Sequence, residues 1–165
     1  MKFKDVLISL VAIGVITALG AWAYLSVSRP SPGLCRVCQR GMHQGVTYRL
    51  ELESDVEDAC CPRCGMHYQI EHPGAAKKAR ATDLTSGRFI PAETATYVEG
   101  GDLAYCTMHS TPVERQPQGV SVRDFDRCLP SLVAFSTRHE AETFQKLHGG
   151  EVLEYSQAME SVKER

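Results

Sequence analysis

Two Cys-x-x-Cys pairs, Cys35/Cys38 and Cys61/Cys64, stand about twenty residues apart in this 165-residue chain, close to the spacing of a four-thiolate zinc site. No other feature narrows the fold so far. A segment this short buries too little apolar surface to fold without a staple, and a tetrahedral metal is one of the few staples available. In Cys61-Pro62-Arg63-Cys64-Gly65, proline fixes one backbone angle and glycine permits a tight return, which turns backbone amides toward the sulfurs. Between the pairs, Val46, Tyr48, Leu50 and Leu52 alternate with Thr47, Arg49 and Glu51, the period of a half-buried strand. Residues 35–68 are therefore expected to form a small zinc-ribbon-like β segment, with a structural Zn(II) on Cys35, Cys38, Cys61 and Cys64. Two disulfides are the alternative in an oxidising compartment, although the odd total of 7 cysteines then leaves at least one thiol over. Cys60 could replace Cys61 as a ligand, be a small buried side chain, or be a spare thiolate for incoming metal, and Cys128 could pair with Cys106.

A weak repeat accompanies the pairs. Gly41-Met42-His43 follows the first and Gly65-Met66-His67 the second, while Met108-His109 comes just after Cys106. Thioether, imidazole and thiolate together suit Cu(I). For Met42 and Met66 the plainer reading is core packing, with His43 and His67 capping the turns or facing solvent. Core packing explains less of Cys106-Thr107-Met108-His109, which lies in a polar, proline-containing stretch. The soft ligands expected outside the zinc set are thus Met66, His67, Cys106, Met108 and His109.

The first thirty residues are of another material. From Val6 to Val27 there is no charge, long enough at ~1.5 Å per residue to cross a hydrocarbon core of ~30 Å. A transmembrane anchor over residues 1–29 is expected, with Trp22 and Tyr24 near one interface. A cleaved signal peptide is the rival reading, but its apolar region would be only about 7–15 residues long. Lys2 and Lys4 before the span nearly balance Arg29, Arg36 and Arg40 after it. The short leading tail favours an N-in orientation, hence a single-pass protein of the inner membrane with its C-terminal part in the periplasm or outside. Arg29-Pro30-Ser31-Pro32-Gly33 would be a stiff tether. Lys+Arg 18 against Asp+Glu 20 gives a net charge of -2, so no basic surface for nucleic acid is implied.

The zinc-ribbon-like segment is placed at residues 30–72, followed by a linker around 72–81. Thr82 to Ala92 reads as a hairpin turning near Ser86-Gly87, and Ala95 to Val98 as a strand stopped by glycine. Residues 99–130 form a long irregular segment of the kind that is usually functional. Leu132 to Phe135 is a short apolar strand. Thr137 with Glu140 fits a helix cap, Ala141, Phe144 and Leu147 share one helical face, and Gly149-Gly150 ends it. Glu151 to Tyr155 closes the order as a final strand, leaving 158–165 as a tail. The expected class is α+β, an antiparallel-rich sheet with one packed helix.

Asp83 before Ser86-Gly87, Ile90-Pro91-Ala92, Ala95 with Tyr97-Val98, Ala134-Phe135, and Ala141, Phe144 and Gly149-Gly150 together resemble the C-terminal half of the NosL family, accessory proteins of nitrous oxide reductase. The resemblance covers residues 80–157. It implies a ββαβ unit, and an exported, membrane-tethered Cu(I) chaperone that supplies copper to a recipient protein through a membrane transporter complex. Such a protein is not an enzyme. Two other readings stand beside it: a thiol-dependent enzyme using Cys106, Cys128 and Asp124, as a distant likeness to organomercurial lyase would allow, and a zinc-ribbon interaction module with no labile metal.

Overall fold

The computed structural model describes residues 3–28, 33–43, 45–103, 105 and 128–164. The chain divides into two compact units, residues 1–32 and residues 33–165.

The first unit is one helix, α1 (Phe3–Ser28). Its apolar side chains, among them Leu10, Ile13, Ile16, Leu19 and Trp22, are exposed. Among the described residues no helix is long and apolar enough to cross a membrane. Gly14, Thr17, Gly20 and Ser26 interrupt the apolar run of α1. The expected transmembrane anchor is thereby overturned, and with it the single-pass inner-membrane location.

The second unit repeats one motif. In its first half β1 (Tyr48–Glu51) pairs antiparallel with β2 (Val56–Ala59), α2 (Pro62–Glu71) follows, and β3 (Lys78–Thr82) returns to the other side of β1. In its second half β5 (Thr96–Glu99) pairs with β6 (Leu132–Phe135), α3 (Arg138–His148) follows, and β7 (Glu151–Glu154) returns beside β5. Between the halves lie β4 (Phe89–Pro91), which extends the first sheet to the order β2-β1-β3-β4, and a 3-10 turn at Ala92–Thr94. The second sheet has the order β6-β5-β7.

The alternation read along β1 is real: Tyr48 and Leu50 are fully buried, while Arg49 turns outward to grip its cross-strand partner Asp58 at 2.8 and 3.0 Å. The Thr82–Ala92 hairpin and the strand at Thr96–Glu99 also form, as do β6 and α3. In α3 the Thr137 hydroxyl accepts from the Glu140 N–H, and Phe144 packs on Phe135 with ring centroids 5.2 Å apart. Asp83 bridges the halves. Its residue pairs with Ala134 in a parallel bridge, and its carboxylate accepts from the Ser136 and Ser86 N–H groups at 3.1 Å.

Three sequence expectations fail here. Residues 35–68 do not make a zinc ribbon. Cys61 is in extended conformation with Pro62 at the first helical position, so the second pair launches the ten-residue α2 where a knuckle turn was expected; proline is pre-organised for that position. The strands around it belong to the larger sheet. The supposed linker supplies β3 from Lys78 onward. The supposed tail is a further helix, α4 (Tyr155–Lys163), started by a capping box between Glu154 and Gln157 and burying Ala158 and Val162. The described architecture is thus mixed α and β, with two antiparallel sheets and four helices.

Candidate metal centre

Four structural elements, two of them consecutive in the chain, bring cysteines to one place. The first is a tight loop closed by a bridge between Leu34 and Gly41, in which the Cys35 N–H donates to the Arg40 carbonyl (2.7 Å) and the Gln39 N–H to the Cys35 carbonyl (3.0 Å). Gln39 takes a positive φ of 57°, which lets the loop reverse after Cys38. The second is the end of β2, where Cys60 follows Ala59. The third is the start of α2, with Cys61 as N-cap and Cys64 in the first turn. The fourth is Cys128, near the end of the long β5–β6 connection.

The sulfurs meet at 3.5 Å (Cys38–Cys60), 3.6 Å (Cys64–Cys128), 3.7 Å (Cys60–Cys64), 3.8 Å (Cys60–Cys128) and 3.9 Å (Cys60–Cys61). A disulfide requires about 2.05 Å, so these are thiol contacts. Four sulfurs around one tetrahedral ion with bonds of about 2.3 Å have edges of about 3.8 Å. The observed spacing fits that edge. Two overlapping groups each have their ligand atoms within 4.8 Å of one another: Cys35, Cys38, Cys60 and Cys64, and Cys60, Cys61, Cys64 and Cys128. Cys38 is half-buried and the other five are buried.

Crowding sets the order in which these thiols ionise. Contact with Cys128 opposes ionisation of Cys38, but Cys35, Cys60 and Cys64 outweigh it and the thiol is lowered to about 3. Contact with Cys38 likewise opposes that of Cys35, and Cys60 and Cys64 bring it down to about 6. Cys64 is pushed far up, first by Cys128, then by Cys35 and Cys38. The cluster therefore accepts negative charge at its outer loop and resists it at its buried centre. A cation among the sulfurs removes that resistance.

Arg63, between the two helix cysteines, fixes the fourth segment. It is 1% exposed; its Nε donates to the Pro130 carbonyl at 2.7 Å, and its guanidinium pairs with Glu99, which also accepts from the Ser161 hydroxyl. Pro130 lies two residues beyond Cys128, so the Arg63 Nε–H bond to its carbonyl holds the end of the loop against α2.

Of the residues expected from the sequence, Cys35, Cys38, Cys61 and Cys64 come together, though not as one foursome: Cys35, Cys38 and Cys64 group with Cys60, and Cys61 groups with Cys60, Cys64 and Cys128. Met66 is fully buried in the main core with Tyr48 and Leu50. His67 is half-buried on α2 and belongs to neither group. Cys106, Met108, His109 and Asp124 lie outside the described residues. For Cys60 and Cys128 the sequence alone selects no single role. The doubled cysteine at the end of a strand was a usable signal for Cys60, whereas only topology delivers Cys128.

Fold and site together define a thiol-rich protein able to hold a soft metal ion. No family model matches the sequence. A curated relative, the HTH-type transcriptional repressor CutR of Bacillus subtilis (strain 168), is 23% identical over 130 residues, 78% of this chain and 58% of the relative, so the chain spans less than two thirds of that protein. Among solved structures, the copper chaperone NosL from Shewanella denitrificans matches with a TM-score of 0.54 at 18% identity, over 77% of this chain and 90% of that one. At such identity the likeness establishes the fold alone. The chain has a NosL-like fold, and the likeness reaches well beyond the residues 80–157 from which it was read.

Proposed function

We propose that this protein is a metallochaperone or assembly factor that binds Cu(I) at its cysteine cluster and passes it to a recipient protein. The observation that carries this reading is the convergence of six described thiols from three stretches of chain into two overlapping groups, each with its sulfurs within 4.8 Å of one another. Thiolate is the ligand that selects Cu(I) and Zn(II) among the common ions. A protein that must give its ion away needs a ligand within reach of an incoming donor. Cys38 meets that need, being half-exposed while the rest of the cluster is closed. The fold shared with a copper chaperone agrees with a metal-binding role, although fold alone decides no function.

The test uses the full chain purified without oxidants. Cu(I) is added in competition with a chromophoric chelator, and the loaded protein is then mixed with a thiol-rich acceptor. Stoichiometric uptake, with release to the acceptor faster than spontaneous dissociation and slowed by Cys38→Ser, is the expected result. Failure to take Cu(I) from the chelator, or release only on unfolding, would overturn the proposal.

A further inference from the structure

The two four-sulfur groups share an edge. Cys60 and Cys64 belong to both; Cys35 and Cys38 complete one group, and Cys61 and Cys128 the other. Two independent four-coordinate ions would need more thiolates than the two groups contain, because the shared pair is counted in each. We infer that the centre holds two soft d10 ions at once, with the Cys60 and Cys64 thiolates bridging them. This deepens the metal-binding reading and rests on it.

Distances on both sides of the shared edge favour joint occupancy over a choice between the groups. The edge itself is 3.7 Å. On one side Cys38 lies 3.5 Å from Cys60. On the other, Cys61 lies 3.9 Å from Cys60, and Cys128 lies 3.8 Å from Cys60 and 3.6 Å from Cys64. All sit near the edge of about 3.8 Å expected of a thiolate tetrahedron, so the sulfurs on both sides are spaced for an ion. The burial of every sulfur except Cys38 leaves bridging, rather than added water, as the way to complete both shells. The excess negative charge falls at the N-terminus of α2, where the helix dipole favours it. The two ions are unequal in access. The one on Cys35 and Cys38 lies at the half-exposed edge and is the exchangeable cargo, whereas the one on Cys61 and Cys128 is closed in and stays.

Cadmium-113 is a suitable soft d10 probe because two such nuclei joined through a sulfur split one another's resonances. The full chain, loaded with 113Cd(II) under anaerobic conditions, is expected to carry two ions by native mass spectrometry. It should show two mutually split resonances in the thiolate range. Cys128→Ser should leave one ion and one unsplit resonance, and Cys38→Ser one ion with the other resonance surviving, both variants being checked for folding by circular dichroism. A single ion in the unaltered chain, or two resonances without splitting, would overturn the bridged pair while leaving the metal-binding reading standing. No bound ion would overturn both. The splitting in the unaltered chain decides the matter even if a variant fails to fold.

Discussion

Replacing Gly65 by alanine should destabilise the second unit, against the trend for helices. Gly65 lies inside α2, and an ideal Cβ there would stand 2.0 Å from Cδ1 of Tyr48, 2.5 Å from its Cγ and 2.7 Å from its Cε1. Carbon atoms pack at about 3.5–4.0 Å, so the ring or the helix must retreat by more than about 1 Å. The ring has nowhere to go: Tyr48 is fully buried, and its hydroxyl donates to Gln69, one turn further along the same helix, at 2.7 Å. Overpacking of this kind costs about 1–3 kcal/mol, and a lost buried hydrogen bond about 1 kcal/mol more. Alanine returns about 1 kcal/mol through helix propensity. The balance is a loss of about 2 kcal/mol, readable as a lower urea midpoint with unchanged slope in the metal-free full chain, followed by far-ultraviolet circular dichroism. If the Tyr48 ring is the obstacle, Gly65→Ala added to Tyr48→Ala should cost nothing or stabilise slightly. A neutral single substitution, or a penalty that persists without the ring, would refute this account of how α2 is seated.

Removing one member of the buried Arg63–Glu99 pair should be costly. Arg63→Met strands Glu99 in the interior at about 3–5 kcal/mol, and Arg63→Lys should not rescue it because the fork reaches both Glu99 and the Pro130 carbonyl; equal stability of the Lys variant and the parent by urea unfolding would contradict this. Thr137→Ala should cost about 1 kcal/mol by loss of the α3 cap, with Thr137→Ser close to neutral in the same assay. Asp83 predicts a pH effect: burial opposes its ionisation, but the Ser86 hydroxyl and the N–H groups of Ser136, Ser86 and Thr85 outweigh that and hold its carboxyl below the ordinary range. Its contribution is therefore present above the unfolded value of about 3.9 and lost as pH falls through the lower folded value. Asp83→Asn should weaken the fold at neutral pH and flatten the acid limb of stability against pH, and an unchanged limb would exclude this role.

Where side-chain pattern and local chemistry agreed, the sequence was readable. Tyr48 and Leu50 in β1, the Ser86-Gly87 turn and the Thr137 cap of α3 all emerge as expected, because each is decided within a few residues. The helix α2 was hidden for a definite reason. Cys61 offers no oxygen to cap it, Gly65 weakens its intrinsic propensity, and the Cys-Pro-x-Cys-Gly pattern argues equally for a knuckle turn. The α4 helix has a legible start in Glu154 and Gln157, but its apolar face, Ala158 with Val162, is too small to distinguish it from a tail by pattern. The candidate site was half legible. Spacing alone marked both Cys-x-x-Cys pairs as metal ligands, but that the pairs are interlocked through Cys60, and that Cys128 joins them, depends on β2 ending beside the loop at Leu34–Gly41 and on Arg63 holding the Pro130 segment. No local pattern encodes either.

The repeated ββαβ motif shows which side chains stand in the corresponding places of the other half. After β6, Ser136, Thr137 and Glu140 occupy the residue before the N-cap, the N-cap and the third helical position of α3. The Ser136 and Thr137 hydroxyls both donate to the Glu140 carboxylate, at 3.0 and 2.7 Å, and Thr137 caps the helix. After β2 the same three places hold Cys60, Cys61 and Cys64, whose sulfurs gather on Cys60, 3.9 Å from Cys61 and 3.7 Å from Cys64. A hydroxyl caps a helix whatever the pH, whereas a neutral thiol accepts hydrogen bonds poorly, and the Cys61 side chain caps nothing. The first turn of α2 thus lacks the cap that its counterpart has. Ionised sulfur would serve as one, because negative charge is favoured at a helix N-terminus, and three clustered thiols hold that charge stably only around a cation. An ion at this centre consequently contributes to the folding of α2 as well as filling the site, which ties release of the ion to loosening of the helix that carries half of its ligands.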